Sequence, residues 1–154
     1  MTKTNVARLL DNAGIGYELV PYQVDENDLS ADSISRQLGI PLDMIFKTLV
    51  LAGDNNELFV CVIPGSFTVD LKFAARLSGH KSCDLIPMKD LLKSTGYIRG
   101  GCSPIGMKKQ FPTYIHESCF LYDHIYVSAG VRGLQLKIAP DDLIRFISAE
   151  IYPI

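Results

Sequence analysis

Two runs constrain the fold of this chain more than any other feature: MIFKTLVLA at 44–52 and LFVCVI at 58–63. Both are nearly all apolar, and only the turn signal GDNN at 53–56 and Glu57 separate them. The spacing predicts two strands, 45–52 and 58–63, joined as a hairpin. A strand with one wet face alternates apolar and polar residues, and these do not. The pair therefore reads as strands covered on both faces, deep in a layered structure.

Lys47 is the one charge inside the first run, and period-two alternation puts it on a face with Ile45, Leu49 and Leu51. A cation there has two readings. It snorkels to water or pairs with a carboxylate, or it is a partly desolvated amine lining a pocket, with its pKa pulled down by burial, that holds an anionic or carbonyl group.

The remaining elements follow from apolar periodicity and stop signals. Thr4-Asn5 caps a helical stripe of Val6, Leu9, Leu10 and Ala13 that Gly14 ends. Further helices are expected from Ile34 to Leu38, closed by Gly39 and Pro41, over 70–77, over 87–93, and in APDDLIRFI at 139–147, where Pro140 and two aspartates suit a first turn. Strands are expected at 17–22, 97–100, 113–116, 125–128 and 134–138. About seven strands and about five helices without strict alternation predict an α+β, or mixed α/β, fold. The 154 residues, 47% hydrophobic and 21% charged, suit a single domain over 1–154.

No run of 18 apolar residues exists, and Met1-Thr2-Lys3 leads into an amphipathic pattern rather than a secretory leader, so a soluble, cytoplasmic protein without membrane partners is expected. A formal net charge of −2 argues against coating duplex nucleic acid over a long tract. It leaves room for a local basic patch from Arg99, Lys108, Lys109 and Arg132.

Residues 97–109, YIRGGCSPIGMKK, concentrate chemistry. The Gly100-Gly101 doublet suggests that another molecule comes close to bare peptide. The segment from Gly101 to Lys108 misses the phosphate-binding P-loop pattern, in which Lys directly follows the second Gly, yet its N–H groups are placed to cradle a carbonyl oxygen or a phosphate. A second Gly loop, Ser128 to Gly133, offers a hydroxyl, further amides and Arg132 to the same cavity, or is an ordinary strand connection. The four cysteines (Cys61, Cys83, Cys102, Cys119) show neither C-x-x-C spacing nor histidines at zinc-ligand spacing, so no metal and no cofactor is expected. Cys61 reads as a buried inert thiol, and nothing near Cys102 in sequence would generate a thiolate.

Four motifs in order, FKTLV (46–50), STGYIRGGCSPIGMKK (94–109), IYVSAGVRG (125–133) and IAPDDL (138–143), resemble the YbaK branch of the YbaK/ProX family of aminoacyl-tRNA editing domains, over nearly the whole chain. The resemblance implies a mixed, barrel-like β-sheet with helices packed around it. It implies a free-standing deacylase that clears mischarged tRNA, chiefly cysteine on the proline tRNA, with Cys-tRNA(Cys) as a further substrate and prolyl-tRNA synthetase as a candidate partner. Lys47 falls on the family's essential lysine, Gly101 on a pocket-lining glycine, Ser128 and Gly130 on the second pocket loop, and Tyr22 on a pocket tyrosine.

The implied site has Lys47 and Gly101 as catalytic residues. Tyr22, Thr48, Arg99, Gly100, Ser103, Pro104, Ser128, Gly130 and Arg132 bind the aminoacyl end, and Lys108 and Lys109 meet the tRNA. The implied mechanism uses no protein nucleophile: the substrate's own thiol attacks its ester carbonyl, the protein supplies geometry, and amides around Gly101 stabilise the oxyanion. The sequence departs from the pattern where YQVDEND lacks a His, where Gln135 stands for an Asp, and where Cys102 replaces an aliphatic residue. Two other functions fit the residues without the resemblance: a non-catalytic module gripping a tRNA end or an aminoacyl nucleotide, and a thiol redox protein.

Overall fold

The computed structural model describes residues 3–154. The chain runs α1 (Asn5–Asn12), β1 (Glu18–Pro21), α2 (Ala31–Leu38), β2 (Phe46–Gly53), β3 (Leu58–Pro64), α3 (Leu71–Leu77), β4 (Cys83–Leu85), α4 (Met88–Thr95), β5 (Thr113–His116), β6 (Ile125–Ser128), β7 (Leu134–Ile138), α5 (Pro140–Ile147) and β8 (Glu150–Tyr152). The expectation for Met1 and Thr2 lies outside the described residues. Among these residues no helix is long and apolar enough to cross a membrane.

The two apolar runs pair antiparallel, Lys47 opposite Ile63 and Leu49 opposite Cys61, at the heart of a five-stranded sheet ordered β4-β2-β3-β5-β8. β5 and β8 join it in parallel, so the sheet is mixed. Both faces of the hairpin are covered. Val50, Val60 and Val62 pack with Val127, Leu136 and Leu143 on one side, while Leu51, Phe59, Cys61 and Ile63 pack with Ala74 of α3 on the other. Continuous apolar composition follows from this double burial.

A second sheet, β1-β7-β6, is wholly antiparallel. It meets the first through a single parallel bridge, Ile45 to Tyr126. The expected barrel-like sheet is thus two sheets touching at one seam, and beyond the seam β2 and β6 part.

All five expected helices form, with the caps their sequences imply. Thr4 Oγ1 accepts from the Ala7 amide, Gly39 ends α2 at φ 65°, and Pro140 opens α5. The strand content needs correction: eight strands stand where about seven were expected. β4 and β8 are additional three-residue strands, and 97–100 is no strand. There the Tyr97 amide donates to Thr95 Oγ1, the Gly101 amide donates to the Ile98 carbonyl, and Gly100 sits at φ 86°, so the backbone turns where a ladder would need it extended.

Candidate functional site

The parting of β2 and β6 opens a cavity of about 300 Å³. Its floor is Ile45 and β2 from Phe46 to Val50. Leu29, Ala31 and Ile34 wall one side, Leu85, Ile86, Met88 and Leu91 another, and Arg99, Gly100, Cys102, Ser128 and Gln135 complete it. No lining residue is acidic; the charges are Lys47 and Arg99.

The strands dictate how these groups arrive. Lys47 and Ser128 each lie two residues past the Ile45–Tyr126 bridge, on the side those residues face, and Ser128 is opposite Gln135 in the β6–β7 ladder. Lys47, Ser128 and Gln135 therefore form a row across three strands. Along β2 the Gly65 amide bonds Ile45 O while the Ile86 amide bonds Val50 O from the other edge. Hydrogen-bonding direction alternates along a strand, so Thr48, two residues before Val50, turns its N–H and C=O away from β3 toward the cavity. Its hydroxyl oxygen is buried with no partner, and so is Gln135 Oε1.

Lys47 is half-buried, and its Nζ donates to the Gly65 carbonyl at 3.2 Å. Desolvation holds its pKa below the ordinary value, opposed by the charge of Asp32 on α2. Among the described residues it makes no ion pair. Of the two sequence readings, the pocket-lining amine describes its position. Gly65, not singled out in the sequence, holds this amine; its only signal is the Pro64-Gly65 turn dipeptide.

The glycine loops come together behind the cavity. A Cβ on Gly101 would lie 3.1 Å from both Arg132 N and Val131 C, so the loops touch backbone to backbone, and Arg132 Nε donates to Arg99 O at 2.8 Å. Gly101 is buried, and its own amide serves the turn to Ile98, so that N–H is not free for an oxyanion. The Gly100 and Cys102 amides, on residues that do line the cavity, make no hydrogen bond among the described residues. Gly130 (φ 101°) donates its amide to Ser128 Oγ and faces Val6 and Tyr97 rather than the cavity.

Other expected residues stand elsewhere. Ser103 is buried and accepts from the Ile105 amide within its own turn. Pro104 and Lys109 line a separate cavity of about 220 Å³ with Leu9 and Phe111. Lys108 is exposed, its side chain running over Gly96. Tyr22 packs against the cluster of Ile34, Ile45 and Tyr126, behind the cavity wall. The Cys102 thiol lines the cavity, but burial pushes its pKa up to about 12, which suppresses the thiolate a nucleophile needs. Among the described residues no cluster of side chains could hold a metal ion.

Comparison with known proteins gives this arrangement its class. Residues 25–146 match the aminoacyl-tRNA editing domain, and the chain belongs to that family. A curated relative from Enterococcus faecalis, EbsC, named as a candidate Cys-tRNA(Pro)/Cys-tRNA(Cys) deacylase, is 45% identical over 148 residues, which cover 96% of this chain and 90% of EbsC. The Bacillus subtilis protein YwhH is 22% identical, covering 84% of this chain and 82% of its own. Among solved structures, a candidate trans-editing enzyme for prolyl-tRNA synthetase superposes with TM-score 0.83 at 22% identity, covering 98% of this chain and 97% of its own. The hypothetical protein APE2540 superposes with TM-score 0.86 at 20% identity, covering 95% of each chain. At these identities the superpositions establish the fold.

Proposed function

We propose that this protein is a free-standing deacylase that removes cysteine wrongly attached to tRNA(Pro), with all of 1–154 acting as one editing unit in the cytoplasm and prolyl-tRNA synthetase as a candidate partner. The observation that carries the reading is a partly desolvated Lys47 amine in a cavity without carboxylates, lined also by Gly100 and Cys102, whose amides make no hydrogen bond among the described residues. Such a cavity suits a small ester whose carbonyl oxygen gains negative charge during reaction.

The substrate's cysteine sulfur attacks the ester carbonyl carbon. A C–S bond forms, the C–O bond to the terminal ribose breaks, and the thiol proton ends on the departing ribose hydroxyl. The four-membered thiolactone that leaves is then opened by water to free cysteine. Lys47 orients the aminoacyl end by charge, and the Gly100 and Cys102 amides face the developing oxyanion. Holding sulfur near attack distance supplies several kcal/mol of the lowered barrier as pre-arranged geometry. Lys108 and Lys109, exposed outside the cavity, meet phosphates of the acceptor stem.

The test is deacylation of Cys-tRNA(Pro) beside S-methylcysteinyl-tRNA(Pro), which has no thiol to attack. Release of cysteine, with the methylated ester left intact, is expected. Tight binding of both without turnover would replace this reading with a non-catalytic tRNA-end module.

A further inference from the structure

The loop that follows Gly100 walls two cavities. Gly100 and Cys102 line the first, while Pro104 and Lys109 line the second, of about 220 Å³, with Phe111 and, from the end of α5, Phe146. Cys102 and Pro104 are two residues apart, so their α-carbons lie within about 8 Å of each other. The deacylation chemistry makes no use of the second cavity.

Three kinds of group line it. Phe111 and Phe146 are half-buried, which leaves part of each ring open to a ligand. Lys109 is exposed and makes no ion pair among the described residues, and no acidic residue lines the cavity. Gln110 Nε2 donates to the Ile147 carbonyl at the end of α5 over a long 3.4 Å, which orients the amide and leaves Oε1 and the second N–H without partners among the described residues.

Aromatic rings beside an unpaired cation are the elements of single-strand nucleic-acid sites, where bases stack and phosphates are neutralised. A side-chain amide adds an acceptor and a donor side by side, the complement of the amino group and ring nitrogen of cytosine. Resting on the deacylase reading above, we infer that the second cavity binds a cytosine nucleotide of the unpaired CCA end that extends the acceptor stem. The base stacks on Phe111 and Phe146, Gln110 meets its edge and Lys109 its phosphate. Arg99, which lines the first cavity, and the exposed Lys108 carry positive charge along the same loop. A strand whose aminoacyl end enters the first cavity therefore meets cations along the way to the second.

The experiment measures calorimetric binding of three trinucleotides: CCA, UUA, and a version of CCA in which both cytidines are abasic riboses. Wild type should bind CCA at least about 10-fold more tightly than the abasic version, and more tightly than UUA. Phe111→Leu should bring CCA and the abasic version to nearly equal affinity, and Phe146→Leu replaces it if that variant melts early. Gln110→Ala should bind CCA and UUA alike. Lys109→Gln should weaken all three ligands equally and reduce the salt slope by about 1. Equal affinity of wild type for CCA and either comparator, or an unchanged CCA-to-abasic ratio in the Leu variant, overturns the inference.

Binding needs no cleavage, so the two assignments are read apart. If Cys-tRNA(Pro) stays intact while the preference for CCA is present and is lost in Phe111→Leu, the reaction assignment fails and the cavity assignment stands. If the cysteinyl ester is cleaved while CCA binds no better than its abasic version, the cavity assignment fails alone.

Discussion

Lys47 Nζ lies 3.2 Å from the carbonyl oxygen of Gly65, so the cavity's cation, carried by β2, is held by the turn that ends β3. Gly65 is boxed in. A Cβ there would meet Ala31 Cβ at 2.7 Å and Leu42 Cδ1 at 2.9 Å.

Gly65→Ala should therefore loosen α2 and the 3-10 turn at Leu42–Met44 and shift the carbonyl that holds Lys47. The expected cost is about 1–3 kcal/mol of stability by overpacking, read by chemical denaturation, with a fall in deacylation as well. Adding Ala31→Gly removes the shortest contact and should restore part of both. A Gly65→Ala variant as stable and active as wild type would show that the turn yields freely.

Lys47 carries a stability cost whose sign is fixed. Burial lowers its folded-state pKa below the ordinary 10.5, so between the two values the unfolded chain binds more protons and stability rises with pH. Below that window the penalty is present in full, and above 10.5 it is gone. Lys47→Met should be more stable than wild type at neutral pH, with the difference shrinking as pH climbs toward 10.5. Melting temperatures of the two proteins across pH 7–11 check this, and a difference that grows with pH would reverse the assignment.

Gly101→Ala places a methyl group 3.1 Å from the backbone of Val131 and Arg132, where no flexible side chain can yield. The glycine loops should move apart, costing about 1–3 kcal/mol of stability by overpacking and, in protein that is still folded, on the order of 10²-fold in kcat/KM through misplaced amides. A loss of activity no larger than the loss of folded protein would mean that Gly101 serves only the fold.

The thiols should be bystanders. Burial pushes Cys61 and Cys102 to about 12 and Cys119 to about 11, and raises Cys83 less. Native protein treated with iodoacetamide at pH 7 should label Cys83 first and keep its activity, and Cys102→Ala should stay within a few-fold of wild type. Loss of activity in Cys102→Ala would revive a thiol-based reading.

What was legible in the sequence follows physical lines. Strong periodicity and explicit caps located all five helices, and the unbroken apolar runs located the central hairpin, because double burial leaves a compositional mark. β4 and β8 are three residues each, too short for alternation to register, and β8 pairs with β5 across the intervening β6, β7 and α5. The Tyr97–Gly100 segment carries strand-like residues, but the turn between Gly96 (φ 87°) and Gly100 overrides them.

In the site, Lys47 stood out as a charge in an apolar strand. Gly101, Ser103 and Gly130 belong to the motifs, yet they build the loops rather than line the cavity. Gly65 and the α4 wall escaped notice because their role depends on which elements the fold brings beside β2. No local pattern encodes that.

The central claim is that the Lys47 ammonium in this cavity supports ester cleavage. Single-turnover deacylation of Cys-tRNA(Pro) by wild type and by Lys47→Ala, with both proteins shown to be folded, tests it most directly. A loss of about 10²-fold or more in the single-turnover rate constant is predicted. Cleavage by Lys47→Ala at the wild-type rate would contradict it.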